Sequence, residues 1–317
     1  MTEIVLHDAP ATAAARRPRL GYAMAVAAAV LFAINGTVSK VILTGSSMTT
    51  LPLTQLRATG AFACLAAFLL LTAPGKLRVA RDELALLVFY GVVGFAAVQW
   101  LYFVAIERLP IGIGLLLEFT APVLVALWAR TVWHEPVRRR VWAALALALA
   151  GLALVAEVWE DVRLDAVGGA AGLVAAAALA TYFLAGEHQT GRRDPLSLTC
   201  LSLGVAALFW AIVQPWWLFP FSALGETVSL QGELESLNAP VWLLCLWMIV
   251  PGTILPFALS LGALSHLPAT RVSIVAMVEV VLAAFVAWVW LGETLSTAQL
   301  LGGGVVLVGV VLAQTAR

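Results

Sequence analysis

Ten apolar runs, each close to the length of a bilayer-crossing helix, fix what this chain can fold into. They lie at about 21–43, 50–72, 83–105, 109–130, 140–158, 167–187, 196–218, 241–263, 268–291 and 298–315, and roughly 20 residues carry an α-helix across the hydrocarbon core. With 62% hydrophobic and only 11% charged residues among 317, the apolar surface exceeds what soluble cores could hide. An all-α polytopic membrane protein with ten transmembrane helices is expected. Arg16, Arg17 and Arg19 precede the first run as they would a signal peptide, but that run is longer than a signal h-region and nine more follow, so it reads as a retained helix.

The basic residues orient the spans. With the N-terminus inside, the cytoplasmic segments collect Arg16, Arg17, Arg19, Lys76, Arg78, Arg81, Arg138, Arg139, Arg140, Arg192, Arg193 and Arg317, against Arg108 and Arg163 outside. Lys and Arg near span ends are held on the cytoplasmic side, so both termini are expected there. Acidic residues gather in the opposite loops, Glu157, Glu160, Asp161 and Asp165 after the fifth span and Glu226, Glu233 and Glu235 after the seventh. The three cysteines, Cys64, Cys200 and Cys245, sit inside apolar runs without metal-ligand spacing, and they read as packing or lipid-facing residues. No metal, cofactor or nucleic-acid partner is expected; the bilayer and a small-molecule substrate are. Oligomeric state is not legible.

A shift of 158 aligns the chain with itself. Gly94 pairs with Gly252, Leu109-Pro110 with Leu267-Pro268, Glu135 with Glu293 and Gly151 with Gly309, while a looser shift of 147 relates Gly21 to Gly168. The units are a tail at 1–18, a first repeat at 19–158, an outer loop at 159–166 and a second repeat at 167–315. Five spans per unit is an odd number, so the second copy enters the membrane inverted. Inverted repeats support two related conformations, with substrate near the midplane between them.

The ten spans in two units, each closing its fourth span with an acidic residue (His134-Glu135-Pro136 and Gly292-Glu293-Thr294), resemble the drug/metabolite transporter superfamily, specifically its EamA group. The segment AIERLPIGIGLLLEFTAPVLVAL, Ala105 to Leu127, is most similar to the threonine/homoserine exporter branch. The chain departs from that pattern at Ala121, where the branch has glycine, and at Val280, where the second repeat of the wider family often has proline. The resemblance implies export of amino acids or similar metabolites across a bacterial inner membrane, with spans one, three, four, six, eight and nine lining the path.

Polar residues inside the spans are few, and each is costly at bilayer depth, which makes each a site candidate. At 1.5 Å per residue, Asn35, Arg57, Gln99 and Glu118 fall roughly 10–14 Å below the outer ends, on four different helices. Arg57 and Glu118, opposite in charge at one depth, are a candidate ion pair. Glu279 has no positive charge at its own depth, and with Glu118 it is a candidate for proton coupling. Lys40, nearer the outer end, reads as snorkelling to the headgroups. Pro122 removes the N–H that would serve the carbonyl of Glu118, and Pro256 does the same to Gly252, so both kinked helices are expected to line the path. Trp100, Tyr102 and Tyr182 are candidate aromatic walls.

No histidine lies in a span and no nucleophile meets a base, so intramembrane enzyme chemistry is not indicated. Secondary-active transport by alternating access, with possible proton coupling, is the favoured function. A channel, or a receptor or structural membrane protein, stays open as the alternative.

Overall fold

The computed structural model describes residues 17–106, 108, 109, 111–159 and 165–315. Arg16, Glu160, Asp161, Arg163 and Arg317, used above to orient the chain, lie outside the described residues, as does most of the 159–166 loop. Ten helical spans are present among the described residues: α1 (Pro18–Gly45), α2 (Thr50–Thr72), α3 (81–106), α4 (111–131), α5 (Arg139–Val155), α6 (Ala166–Thr190), α7 (Pro195–Val213), α8 (Val241–Leu264), α9 (Ala269–Leu291) and α10 (Thr297–Thr315). Nine have the length and apolar character to cross a membrane; α5, at 17 residues, is at the short end of the spanning range of roughly 17–25. Leu71, Leu208, Ile212 and Leu301 project outward from the bundle, a surface suited to lipid.

Two boundaries have local causes. The run read as extending to 218 stops as a helix at Val213, because Pro215 follows and Trp216–Leu218 forms a separate 3-10 turn. At the other end α6 and α7 start on aspartate caps, Asp165 accepting from the Gly168 amide at 2.7 Å and Asp194 from that of Ser197 at 3.3 Å.

The two halves interlock instead of standing side by side. α1 of the first half packs on α8 and α9 of the second, and in mirror fashion α6 packs on α3 and α4; α2 pairs with α7, α4 with α9, and α5 with α10. The pseudo-two-fold extends to single residues. Gly21 abuts His266 and Leu267, while Gly168, its counterpart at a shift of 147, abuts Arg108 and Leu109, their counterparts at 158. Between α5 and α10 the backbones of Gly151 and Gly302 touch, and Gly309 against Ala144 repeats that contact; small residues are what permit so close an approach.

The helix irregularities repeat too. In α3 the residues Gly91–Ala97 form a widened π-helical stretch, and in α8 Val250–Ile254 do so at the equivalent place. α4 is broken at Phe119-Thr120 into α4a (Ile111–Glu118) and α4b (Ala121–Thr131). α9 is broken at Met277 into α9a (Ala269–Ala276) and α9b (Val278–Leu291). Pro122 accounts for the first break. The second forms without proline, through tightened bonds from Met277 N–H to the Ile274 carbonyl and from Val280 N–H to that of Met277. α4b and α9b also end alike: His134 and Gly292 are both left-handed, and Glu135 and Glu293 donate back to Ala129 and Ala287 in a Schellman closure.

One element has no mirror. The α7–α8 connection, 214–240, folds into short 3-10 turns and an antiparallel hairpin, β1 (Thr227–Ser229) with β2 (Asn238–Pro240), Val228 facing Ala239. Phe219, Ala223, Val228 and Ala239 are buried with Val38, Ile42 and Met248 in an apolar cluster that caps this end of α1, α2 and α8.

Candidate functional site

The two breaks and the two π-stretches lie at the centre of the bundle and place the polar residues. Glu118 is the last residue of α4a, and Glu279 is in the first turn of α9b. Measured from the helix ends opposite the termini, they lie about 10 and 18 Å deep at 1.5 Å per residue. Glu118 and Glu279 interact electrostatically across the interface between halves, Tyr102 feels both, and Arg57 couples to Glu279. Glu118 is 9% exposed, whereas Arg57, Tyr102 and Glu279 are each enclosed by protein yet keep accessible surface.

The anticipated ion pair between Arg57 and Glu118 is not formed. No carboxylate stands within ion-pairing distance of Arg57 among the described residues, and its electrostatic partner is Glu279. The sequence could not distinguish them: Glu118 matches Arg57 in depth along the helix, but depth does not say which carboxylate a side chain faces.

Asn35 is 4% exposed, and its Oδ1 has no hydrogen-bond partner. It rests on Gly252 within the α8 π-stretch, where no side chain could fit. The irregular backbone is held by the Thr253 hydroxyl, which donates to the Met248 carbonyl at 2.8 Å, and by the Leu255 amide, which donates to the carbonyl of Val250. Pro256 follows directly and is buried. The mirror of Asn35 at a shift of 147 is Tyr182, which packs on Gly94 of the α3 π-stretch. One polar and one aromatic side chain thus occupy equivalent seats.

Tyr182 belongs to an aromatic group. Its ring stacks on Tyr90 at 6.0 Å and meets Phe95 at 5.4 Å and Phe257 at 5.9 Å edge-on, and Phe32 closes on Phe257 at 5.1 Å. The Tyr90 hydroxyl donates to the Tyr182 carbonyl at 3.2 Å, while the Tyr182 hydroxyl points toward Ser260 without completing a bond. Tyr90, Phe95 and Phe257 were not among the sequence candidates; only the correspondence of Asn35 with Tyr182 could have drawn attention to them. Gln99 is half-buried on α3. Trp100 is set apart from the cluster: it is 43% exposed and lies against Phe209 of α7 at 6.4 Å.

On the side away from the termini, several contacts link the two halves. Lys40 of α1 pairs with Glu293 just beyond α9b, so it does more than reach for headgroups. Trp290 Nε1 donates to the Leu230 carbonyl at 2.9 Å and Gln231 Nε2 to Thr44 Oγ1 at 2.8 Å, which ties the 214–240 loop to both helices. Gly232, at φ +54°, fits against the Trp290 carbonyl where any side chain would collide. Glu226 accepts from both the amide and the hydroxyl of Ser47, and those bonds hold its carboxyl below the usual range. At the positions mirroring Lys40 and Glu293 stand Glu187 and Glu135; Glu187 accepts from the Ala269 amide at 2.7 Å.

A model of the EamA-like transporter family matches residues 19–156 and again 167–315. The chain belongs to the EamA-like transporter family. As a member it is a multi-pass membrane transporter of small molecules. It is 31% identical to the threonine/homoserine exporter RhtA of Escherichia coli K12 over 74% of this chain and 72% of that protein. It is 30% identical to the exporter of the same name from Salmonella typhimurium LT2, over 72% of this chain and 70% of that one. A transporter of Archaeoglobus fulgidus described as uncharacterized is 28% identical over 67% and 70%. A solved crystal structure, 17% identical, superposes with a TM-score of 0.76 over 94% of this EamA-like chain and 97% of its own, a likeness of fold alone.

Proposed function

We propose that this EamA-like transporter exports small amino acids of the threonine and homoserine kind by alternating access between its inverted halves, exchanging them for protons. The placement of Glu118 and Glu279, one from each half and each beside the equivalent helix break, with Arg57 and Tyr102 in the same electrostatic surroundings, carries this reading. The substrate class comes from the relatives named threonine/homoserine exporter.

A zwitterionic amino acid presents a carboxylate and an ammonium, and these two substrates add a hydroxyl. The carboxylate goes to Arg57 and to the start of α9b, where aligned peptide dipoles favour negative charge. The ammonium goes to Glu118 and to its carbonyl, which Pro122 leaves without a helical donor. Asn35 Oδ1, buried and unpartnered, accepts from the hydroxyl. The rings of Tyr182 and Phe257 bound the site and exclude larger side chains.

Two carboxylates that repel when both are charged exchange a proton for a cation readily. Arrival of the ammonium therefore displaces a proton, and substrate and proton occupy the site in turn. The Lys40–Glu293 pair and the 214–240 loop form the outer gate. The inner gate uses different contacts, since its mirror positions are both acidic. Positive charge along the termini side, at Arg17, Arg19, Lys76 and Arg138–Arg140, supports a cytoplasmic position for both termini in a bacterial inner membrane.

Liposomes containing the purified protein should exchange labelled threonine and homoserine faster than protein-free liposomes, and faster still with a pH gradient. Failure to move any of a panel of amino acids and related metabolites, with or without the gradient, contradicts the proposal.

A further inference from the structure

Where α1 begins and α10 ends, a cavity of about 540 Å³ opens on the termini side of the bundle, lined by Arg17, Pro18, Arg19, Tyr22, Arg271 and Gln314. Its volume is that of a small-ligand site, roughly 300–1,000 Å³. Among the described residues, three guanidinium groups and no carboxylate line it. Among the described residues none of the three arginines is ion-paired; Arg271 Nη1 donates to the Tyr22 hydroxyl at 3.4 Å, joining α9a of one half to α1 of the other. The first turn of α1 contains no acidic residue and no side-chain cap, so its amides and dipole add to the positive field. Arginines near span ends commonly serve orientation, but orientation demands neither a cavity nor Arg271, which comes from the second repeat, whereas Arg19 opens the first and Arg17 lies just before it.

The chemistry that fits is a phosphate anion, which guanidinium groups bind in a bidentate manner. Its surroundings favour a membrane source. Leu20, next in sequence to the lining Arg19, and Val311, one turn before the lining Gln314, are exposed apolar residues, 44% and 58% accessible, on the helices that carry the cavity. We propose that this cavity holds the phosphate headgroup of an anionic membrane lipid, whose acyl chains run along Leu20 and Val311. The bound headgroup would tie the termini-side ends of α1, α9a and α10 together across the two halves. This site is independent of which solute is exported.

The test uses the delipidated full-length protein in detergent, with native mass spectrometry of retained phosphatidylglycerol and phosphatidylcholine of matched chains. The wild type should retain phosphatidylglycerol about tenfold or more over phosphatidylcholine, and the R19Q/R271Q variant should lose that preference. R19K/R271K, which keeps the charge without the planar fork, should fall between them and guards against simple misfolding. Equal retention of both lipids by the wild type, or an unchanged preference in R19Q/R271Q, overturns the proposal. So does inorganic phosphate alone raising the Tm of the wild type as much as phosphatidylglycerol does, which would assign the site to a free anion.

Discussion

Asn35 on α1 lies so close over Gly252 on α8 that a methyl group there would stand 2.2 Å from Asn35 Oδ1. The mirror contact, Tyr182 over Gly94, is looser: a methyl on Gly94 would find the Tyr90 ring at 3.1 Å and Tyr182 Cα at 3.3 Å. G252A should therefore cost about 1–3 kcal/mol and cut transport sharply, while G94A is accommodated by a small ring shift. Thermal unfolding and exchange rates of the two variants check this. Equal damage from both would mean that the Asn35 seat is not special.

The Lys40–Glu293 pair joins the ends of α1 and α9 remote from the termini, with side chains about half exposed, 52% and 47%. Exposed pairs contribute about 0.2–1 kcal/mol, so K40A and E293A should barely move the Tm. Their effect should appear in the transport cycle, as faster labelling by a thiol reagent of a cysteine placed on α9b near this pair. The swapped variant K40E/E293K should restore the wild-type rate; if it behaves like K40A, the pair does not hold the gate.

Glu226 ties the 214–240 loop to Ser47, and the bonds from Ser47 place its carboxyl below the ordinary value of 4.5. A carboxyl lowered in the folded state contributes stability at pH above 4.5 that is lost as pH falls through its lower folded value. The loop should therefore stay fastened at neutral pH and loosen as pH falls below 4.5. In S47A the Glu226 carboxyl should titrate closer to 4.5, which carbon NMR of labelled glutamate would detect; an unmoved titration would show that Ser47 does not set it.

Arg193 fastens the termini side. Its guanidinium donates to Glu83 at 2.7 and 3.2 Å, to the carbonyls of Lys76 and Arg78 at 3.0 and 2.6 Å, and to Ser197 Oγ at 3.2 Å. A lysine cannot reproduce that fork. R193K should lower stability by about 1–3 kcal/mol, whereas R192A, at an exposed neighbour, should stay within about 0.5 kcal/mol. Similar losses in both would reduce Arg193 to one more basic residue of the loop.

The helix count, the inverted halves and the break at Pro122 were legible because each has a one-dimensional signature: hydropathy, a fixed shift and a missing N–H. The break at Met277 has none, since Val280 replaces the proline, and it follows from tertiary packing. The surroundings of Arg57 were not legible for a related reason: distance along a helix gives depth but not which carboxylate a side chain faces. The ordered 214–240 loop, rich in polar and turn-forming residues, gave no run to read, and its hairpin depends on apolar seats that α1, α2 and α8 supply. The aromatic group around Tyr182 was hidden among core aromatics until the mirror of Asn35 identified it.

The central claim, that Glu118 and Glu279 couple solute export to protons, is tested most directly by threonine exchange in proteoliposomes across imposed pH gradients, for wild type, E118Q, E279Q and the double variant. The account predicts gradient-driven transport in the wild type, and in the double variant residual equilibrium exchange that no longer responds to the gradient. Gradient-driven export by E118Q/E279Q with unchanged pH dependence would contradict it.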